Sequence, residues 1–173
     1  IGIAGPIAGF VIAVPVLFIG MYLSHISQLP RDFHGEVFEF GEPLLLKLAA
    51  FLTFGTTGKD MVISMHPMAF AGWFGLLATA LNLFPIGQLD GGHISYAVLG
   101  RKSSIVTLVM VVCLIGLSFW SMSWAVWAGL TTLMLIVFGP HHPRTLDEHV
   151  PLDRTRKALA VYAVIMFILC FTP

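Results

Sequence analysis

The sequence predicts an all-α, polytopic membrane helix bundle of about five transmembrane helices plus one short interfacial or re-entrant helix. Of its 173 residues, 57% are hydrophobic and only 10% are charged, whereas soluble domains carry about a quarter charged residues. Several apolar runs approach the roughly 20 residues that one helix needs to cross a bilayer. None of these runs alternates with period two, as the strands of a membrane barrel would.

The elements follow from the apolar runs in chain order. Residues 3–23 predict a first membrane helix, which Pro15 is expected to kink. Residues 24–67 predict an extramembrane or interfacial insertion, in which the apolar run 44–55 is too short to span and predicts an interfacial helix. Four further spans are predicted at residues 68–84, 105–120, 124–138 and 158–171.

No internal repeat or linker divides the chain, so residues 1–173 are predicted to form a single membrane domain. Cys113 and Cys170 lie in apolar runs without CxxC spacing, and both are expected to be small buried hydrophobic residues. The chain begins at Ile1 directly in apolar sequence and shows no signal-peptide pattern. We therefore expect it to be the remainder of a longer protein with a further N-terminal part.

The charged residues predict how the chain is oriented in the membrane, but their balance does not indicate a charged partner. Nine basic residues balance nine acidic ones, so we expect no nucleic-acid partner. Five crossings would place six basic residues on the side of the LDGG segment at 89–92 and three on the opposite side. The positive-inside rule then predicts that the LDGG side is cytoplasmic. The six are Arg101, Lys102, Arg144, Arg154, Arg156 and Lys157, and the three are Arg31, Lys47 and Lys59.

The stretch ALNLFPIGQLDGGH at residues 80–93 ends the second predicted span in polar and turn-forming residues. In a structural interpretation, Pro85 ends the helix, Gly91 and Gly92 form a flexible turn, and Asp90 caps the next segment. In a chemical interpretation, Asp90 lies at membrane depth, where a carboxylate needs a partner. This span offers no lysine or arginine, whereas zinc accepts a carboxylate as third ligand beside two histidines.

The spacing Asn82-x-x-Pro85-x-x-x-x-Asp90-Gly91, together with GIAGPIAGF near the start, resembles the site-2 protease family, the intramembrane zinc metalloproteases of peptidase family M50. HPMAFAGWFGLLATALNLFPIGQLDGGHI is most similar to the bacterial and plastid branch of that family. The resemblance implies hydrolysis of a peptide bond in a transmembrane protein substrate within the lipid bilayer.

The resemblance also assigns roles to individual residues. It implies that Asp90 is the third zinc ligand and that Asn82 contacts the substrate backbone or the developing oxyanion. It implies that Pro85 breaks the helix so that Asp90 turns inward. A substrate-binding or structural role is implied for Gly5, Pro6, Gly91 and Gly92.

The family's H-E-x-x-H motif, which supplies two zinc ligands and the general base, is absent, because no two of the seven histidines are four residues apart. We expect one zinc ion whose two histidine ligands come from a missing N-terminal part of the same protein. The chain alone would then contain only part of the zinc site and would be inactive. His93, three residues beyond Asp90, is expected to hydrogen-bond near the site rather than to bind zinc.

Two other functions stay open at this point. Asn82 and Asp90 could line the polar path of a transporter or channel, in which a broken helix binds an ion, although no inverted repeat is visible. The chain could also belong to a pseudoprotease that binds membrane substrates without cutting them.

Overall fold

The computed structural model describes residues 2–28, 42–56, 61–87, 89–139 and 152–171. Within these ranges the chain is mostly helical, which confirms the predicted helical architecture. The elements are α1 (Ala4–Tyr22), β1 (His25–Gln28), α2 (Leu44–Phe54), β2 (Met61–Ser64), α3 (Pro67–Leu83), α4 (Asp90–Leu99), a 3-10 turn (Gly100–Lys102), α5 (Ser103–Ser118), α6 (Met122–Phe138) and α7 (Arg154–Cys170).

Two helical segments in the described ranges, Ala4–Tyr22 and Asp90–Ser118, are long and apolar enough to cross a membrane. The second comprises α4, the 3-10 turn and α5, and Gly100 divides it with a φ of +58°. Further apolar helices, Leu44–Phe54, Pro67–Leu83 and Met122–Phe138, are shorter. The count of five crossings therefore stays a prediction.

Helices α1 and α3 form an antiparallel pair whose backbones touch. A Cβ added to Gly72 would lie 2.6 Å from the Leu17 Cα, and one added to Gly20 would overlap the backbone of Ala69. Small residues allow helices to approach this closely where no water drives their association. Buried Leu17 and Leu76 belong to the main core cluster, which lies along this contact.

A second core cluster encloses the residue that follows α3. The ring of Phe84 is fully buried and stacks on Trp127 of α6 with 5.7 Å between centroids. It also meets the edges of Phe167 and Phe171, each with centroids 5.2 Å away. Helices α6 and α7 are thus packed around the end of α3.

Strands β1 and β2 pair antiparallel, with His25 opposite Ser64 and Gln28 opposite Met61. The prediction of an all-α fold was wrong on this point. Each strand has four residues, and such short stretches carry too little periodicity to be distinguished from loops. Pairing between segments distant in sequence, rather than local pattern, forms this sheet.

The outer faces of the helices are apolar. Ile12 of α1, Leu108 of α5 and Ile136 of α6 are 67%, 60% and 76% exposed, respectively, and apolar surface on this scale marks a membrane or a partner.

Cys170 is buried as predicted, but Cys113 is exposed. The prediction for Cys113 was wrong because an apolar run in a membrane helix includes its outer face as well as its packed face.

Candidate metal centre

The helix that carries Asn82 ends abruptly before Asp90. Helix α3 ends at Leu83 with Phe84 as its C-cap, and Pro85 follows, which has no backbone N–H to continue the helix. A compact turn then forms, in which the Leu89 N–H donates to the Ile86 carbonyl over 3.0 Å. Asp90 is consequently the first residue of α4, and Leu89 is its N-cap.

Gly91 and Gly92 lie in the first turn of α4 and are buried, so the interpretation of this pair as a flexible turn was wrong. A Cβ on Gly91 would overlap the Leu83 carbonyl, and one on Gly92 would lie 2.7 Å from the Ile86 oxygen. Both positions require glycine because α4 packs directly against the backbone that ends α3. This close approach fixes where Asp90 begins the next helix.

The Asp90 carboxylate is half-buried beside the start of α1. A Cβ added to Gly5 would lie 3.5 Å from Asp90 Oδ2, and one added to Gly2 would lie 3.8 Å from Asp90 Oδ1. The two glycines therefore lie next to the carboxylate oxygens, and neither places a side chain against them. Its position in the first turn of α4 also places the carboxylate at the positive end of the helix dipole, which favours negative charge.

The other predicted site residues lie in the first turn of α1, in the last turn of α3 and in the turn that follows α3. Asn82 is exposed in the last turn of α3, Pro6 is buried in the first turn of α1, and Pro85 is half-buried. Gly5 is a predicted site residue that lies next to the Asp90 carboxylate.

Sequence reasoning missed two residues of this region. Gly2 lies beside Asp90 as Gly5 does, since a Cβ added to Gly2 would be 3.6 Å from the Asp90 carbonyl oxygen. Thr107 of α5 is buried, and its hydroxyl donates a hydrogen bond to the Pro85 carbonyl. A hydroxyl between apolar residues of a helix was the available signal for Thr107, since such groups need an acceptor.

The side chains in the described ranges could supply one ligand of a zinc site but not a complete set of ligands. No group of three or more His, Cys, Asp or Glu side chains that could hold a metal ion occurs there. Asp90 offers a carboxylate, an ordinary zinc ligand, and two glycines, Gly2 and Gly5, stand beside it on α1 and the residues before it. The Nδ1 of His93 lies 2.9 Å from the Leu89 carbonyl, so Nδ1 donates and the ring is held against the backbone near Asp90.

Comparison with known proteins decides the family. Residues 1–121 match the model of peptidase family M50. The chain belongs to peptidase family M50. The matched residues include α1 through α5, and therefore Asp90 and its neighbours Gly2, Gly5 and Gly91. The resemblance expected from the Asn82–Gly91 spacing is confirmed.

Relatives of this M50 chain are longer proteins. It is 30% identical over 175 residues to probable zinc metalloprotease EGY1, chloroplastic, of Arabidopsis thaliana, covering 100% of this chain and 32% of that protein. It is 36% identical over 119 residues to probable zinc metalloprotease EGY2, chloroplastic, of Oryza sativa subsp. indica, covering 66% and 21%, respectively.

A further relative is not named as a metalloprotease. The chain is 32% identical over 119 residues to DDT domain-containing protein PTM of Arabidopsis thaliana, covering 68% of this chain and 7% of that protein. The chain thus spans about a third of the first relative and a smaller share of the others. No solved structure matches it.

Proposed function

We propose that this M50 chain is part of an intramembrane zinc metalloendopeptidase of site-2 protease type and supplies the third zinc ligand through Asp90. The enzyme would hydrolyse a peptide bond of a transmembrane protein substrate. The observation that carries the proposal is the half-buried Asp90 carboxylate at a helix break, with Gly2 and Gly5 next to its oxygens.

Asp90 would hold one zinc ion together with two histidines from another part of the same protein, which would also supply a glutamate as general base. The relatives named zinc metalloproteases extend well beyond the length of this chain, which supports such a division. Bound zinc supplies a nucleophilic water near neutral pH and polarises the substrate carbonyl. The chain's own contribution is to fix the Asp90 carboxylate by the packing of Gly91 and Gly92 against α3.

Asn82 would bind the substrate backbone or the developing oxyanion. Its amide is exposed at the end of α3 and carries two N–H donors. Phe70, Phe74 and Ala78 are exposed at helical spacing along the same helix. This exposed face of α3, which ends at Asn82, is where we place the substrate and the segment that would carry the two histidines.

In this proposal the protein is multi-pass, with five crossings and the LDGG end towards the cytoplasmic side. Helices α3 and α4 have 17 and 10 residues and follow one another, so their lengths are about 25 and 15 Å. Asp90, at their junction, would lie about 15 Å from the Arg101–Lys102 turn. If that turn is at the membrane surface, the carboxylate is deep within the roughly 30 Å hydrocarbon core.

The test uses the full-length protein that contains this chain. Zinc content and cleavage of dye-quenched single-span peptides are measured in detergent for the unaltered protein and for Asp90→Asn. Zinc affinity should fall by more than the roughly 10- to 100-fold that substitutions in the outer shell of a metal site cause, and cleavage should be lost. Asp153→Asn is the matched control, because Asp153 is the N-cap of α7 and asparagine also caps helices well.

Two other outcomes would contradict the proposal. Unchanged zinc binding and cleavage in Asp90→Asn would show that Asp90 is not a ligand. Ion flux in proteoliposomes that disappears in Asp90→Ala would instead favour a transporter with a broken helix.

A further inference from the structure

An apolar groove of about 780 Å³ lies between α4, α5 and α7. Its walls include Val98, Val109 and Val161, and it is also lined by Leu83 and Gly91 at the junction of α3 and α4. The wall residue Val161 is 60% exposed, so the groove opens sideways, towards lipid in a membrane-embedded chain. Its volume is that of a site for a small molecule.

One end of the groove is basic. Lys157 lines it, together with Leu99 and Ile105, and the exposed Arg101 and Lys102 lie in the turn between those two residues. Among the described residues, no acidic side chain lines the groove. The mouth therefore carries positive charge, and the remainder is apolar apart from Ser95.

The length of the groove matches one leaflet of a bilayer. Lys157 and Phe167 are the first and last residues of α7 that line the groove, and ten residues of α-helix rise about 15 Å. Half of the roughly 30 Å hydrocarbon core is the same distance. With Lys157 at the membrane surface, a hydrocarbon chain that lies in the groove from Lys157 to Phe167 thus reaches the bilayer midplane.

We propose that this groove binds a single anionic membrane lipid, with one acyl chain along the valines and the anionic headgroup at Lys157 and the Arg101–Lys102 turn. The charge at the mouth selects an anionic headgroup, and the apolar walls match a hydrocarbon chain. A second transmembrane helix fits less well, because 15 Å of a helix 10 Å wide occupies about 1,200 Å³, which exceeds the volume of the groove.

The site rests on the proposed membrane embedding of the chain but not on its peptidase activity. The full-length protein is placed in phosphatidylcholine vesicles that contain a trace of photoactivatable phosphatidylglycerol, or of photoactivatable phosphatidylcholine in the parallel sample. Adducts are located by mass spectrometry. We expect phosphatidylglycerol to label the walls near Val109 and Val161 and to do so equally in the Asp90→Asn protein.

Variants separate binding in the groove from general contact with lipid. Lys157→Gln should reduce phosphatidylglycerol labelling of the walls about fivefold, as the loss of one basic residue near the membrane surface predicts. Lys47→Gln is the matched control, because Lys47 lies outside the groove, 3.7 Å from Glu42, and should leave labelling unchanged. Ala160→Trp fills the groove and should abolish wall labelling while adducts elsewhere persist.

Three results would overturn the proposal. The first is equal labelling of the walls by both lipids, and the second is labelling spread evenly over the outer faces of α1 and α6. The third is a high-yield disulfide between Val161→Cys and a cysteine placed in another part of the protein, which would show that protein covers the groove.

Discussion

The buried hydroxyl of Thr107 donates a hydrogen bond to the backbone carbonyl of Pro85, 22 residues earlier in the chain. This carbonyl lies in the turn between α3 and α4, beyond the last helical residue of α3. A side chain of α5 thus satisfies a backbone group that the broken helix leaves without a helical partner. The turn that precedes Asp90 is held in place by a helix that follows it.

Thr107→Val should destabilise this turn. Valine preserves the shape of threonine but leaves the Pro85 carbonyl without its donor, which costs about 1–3 kcal/mol for a buried group. The free energy of unfolding is measured by denaturant titration in detergent. Thr53→Val is the control, because Thr53 donates only to the Ala49 carbonyl within its own helix. Equal effects of both substitutions would contradict a special role for Thr107.

Gly91→Ala should destabilise the protein strongly, whereas Gly116→Ala should not. A methyl group at Gly91 would overlap the Leu83 carbonyl, but one at Gly116 meets nothing within 4 Å. We expect a loss of about 3 kcal/mol or more at Gly91, as in severe overpacking, and a gain of about 0.5–1 kcal/mol at Gly116. Thermal melting of the two variants in the same detergent checks both signs, and similar melting temperatures would refute the close approach of α4 to α3.

Ser24→Ala should loosen the base of the β1–β2 sheet. The Ser24 hydroxyl donates to the Gly20 carbonyl over 2.7 Å and accepts from the His66 N–H over 2.9 Å, so it connects α1 with the start of α3. Its loss should cost about 1–3 kcal/mol and accelerate amide exchange in β1 and β2. Ser118→Ala, which removes an exposed hydroxyl bonded to its own helix, should leave exchange in both strands unchanged.

Asn82→Ala should separate catalysis from folding and zinc binding in the full-length enzyme. Because Asn82 is exposed, stability should change by less than about 0.5 kcal/mol, and zinc content should stay the same. If the amide stabilises the oxyanion as proposed, kcat should fall about 100- to 1,000-fold. Cleavage of the single-span peptides at the original rate would remove Asn82 from the mechanism.

The sequence predicted the helices that coincide with apolar runs. The run predicted at residues 124–138 became α6 (Met122–Phe138), and the run at 44–55 became α2 (Leu44–Phe54). Helix α4 was missed because the Asp-Gly-Gly sequence has low helix propensity and favours a turn. Packing of Gly91 against Leu83 outweighs that preference, and no local pattern reveals such a contact.

Within the candidate site, the sequence indicated Asp90 because a carboxylate after a long apolar run needs an explanation. It did not indicate Gly2 or Thr107, whose roles depend on how α1 and α5 cross the end of α3. Those contacts join residues far apart in the chain. They are set by packing geometry, which spacing along one segment does not contain.

The backbone contact between α1 and α3 limits which sequence changes the protein can accept. At Gly20 and Gly72 the space for a side chain is already filled by the opposite helix, so volume decides whether a substitution is tolerated and polarity matters little. At exposed positions such as Ile12, where no neighbour restricts size, polarity decides instead. A complete mutational scan should therefore divide α1 into two faces. Positions three or four residues apart that meet α3, such as Ala13, Leu17 and Gly20, should be intolerant of size, and the exposed positions should be intolerant of charge.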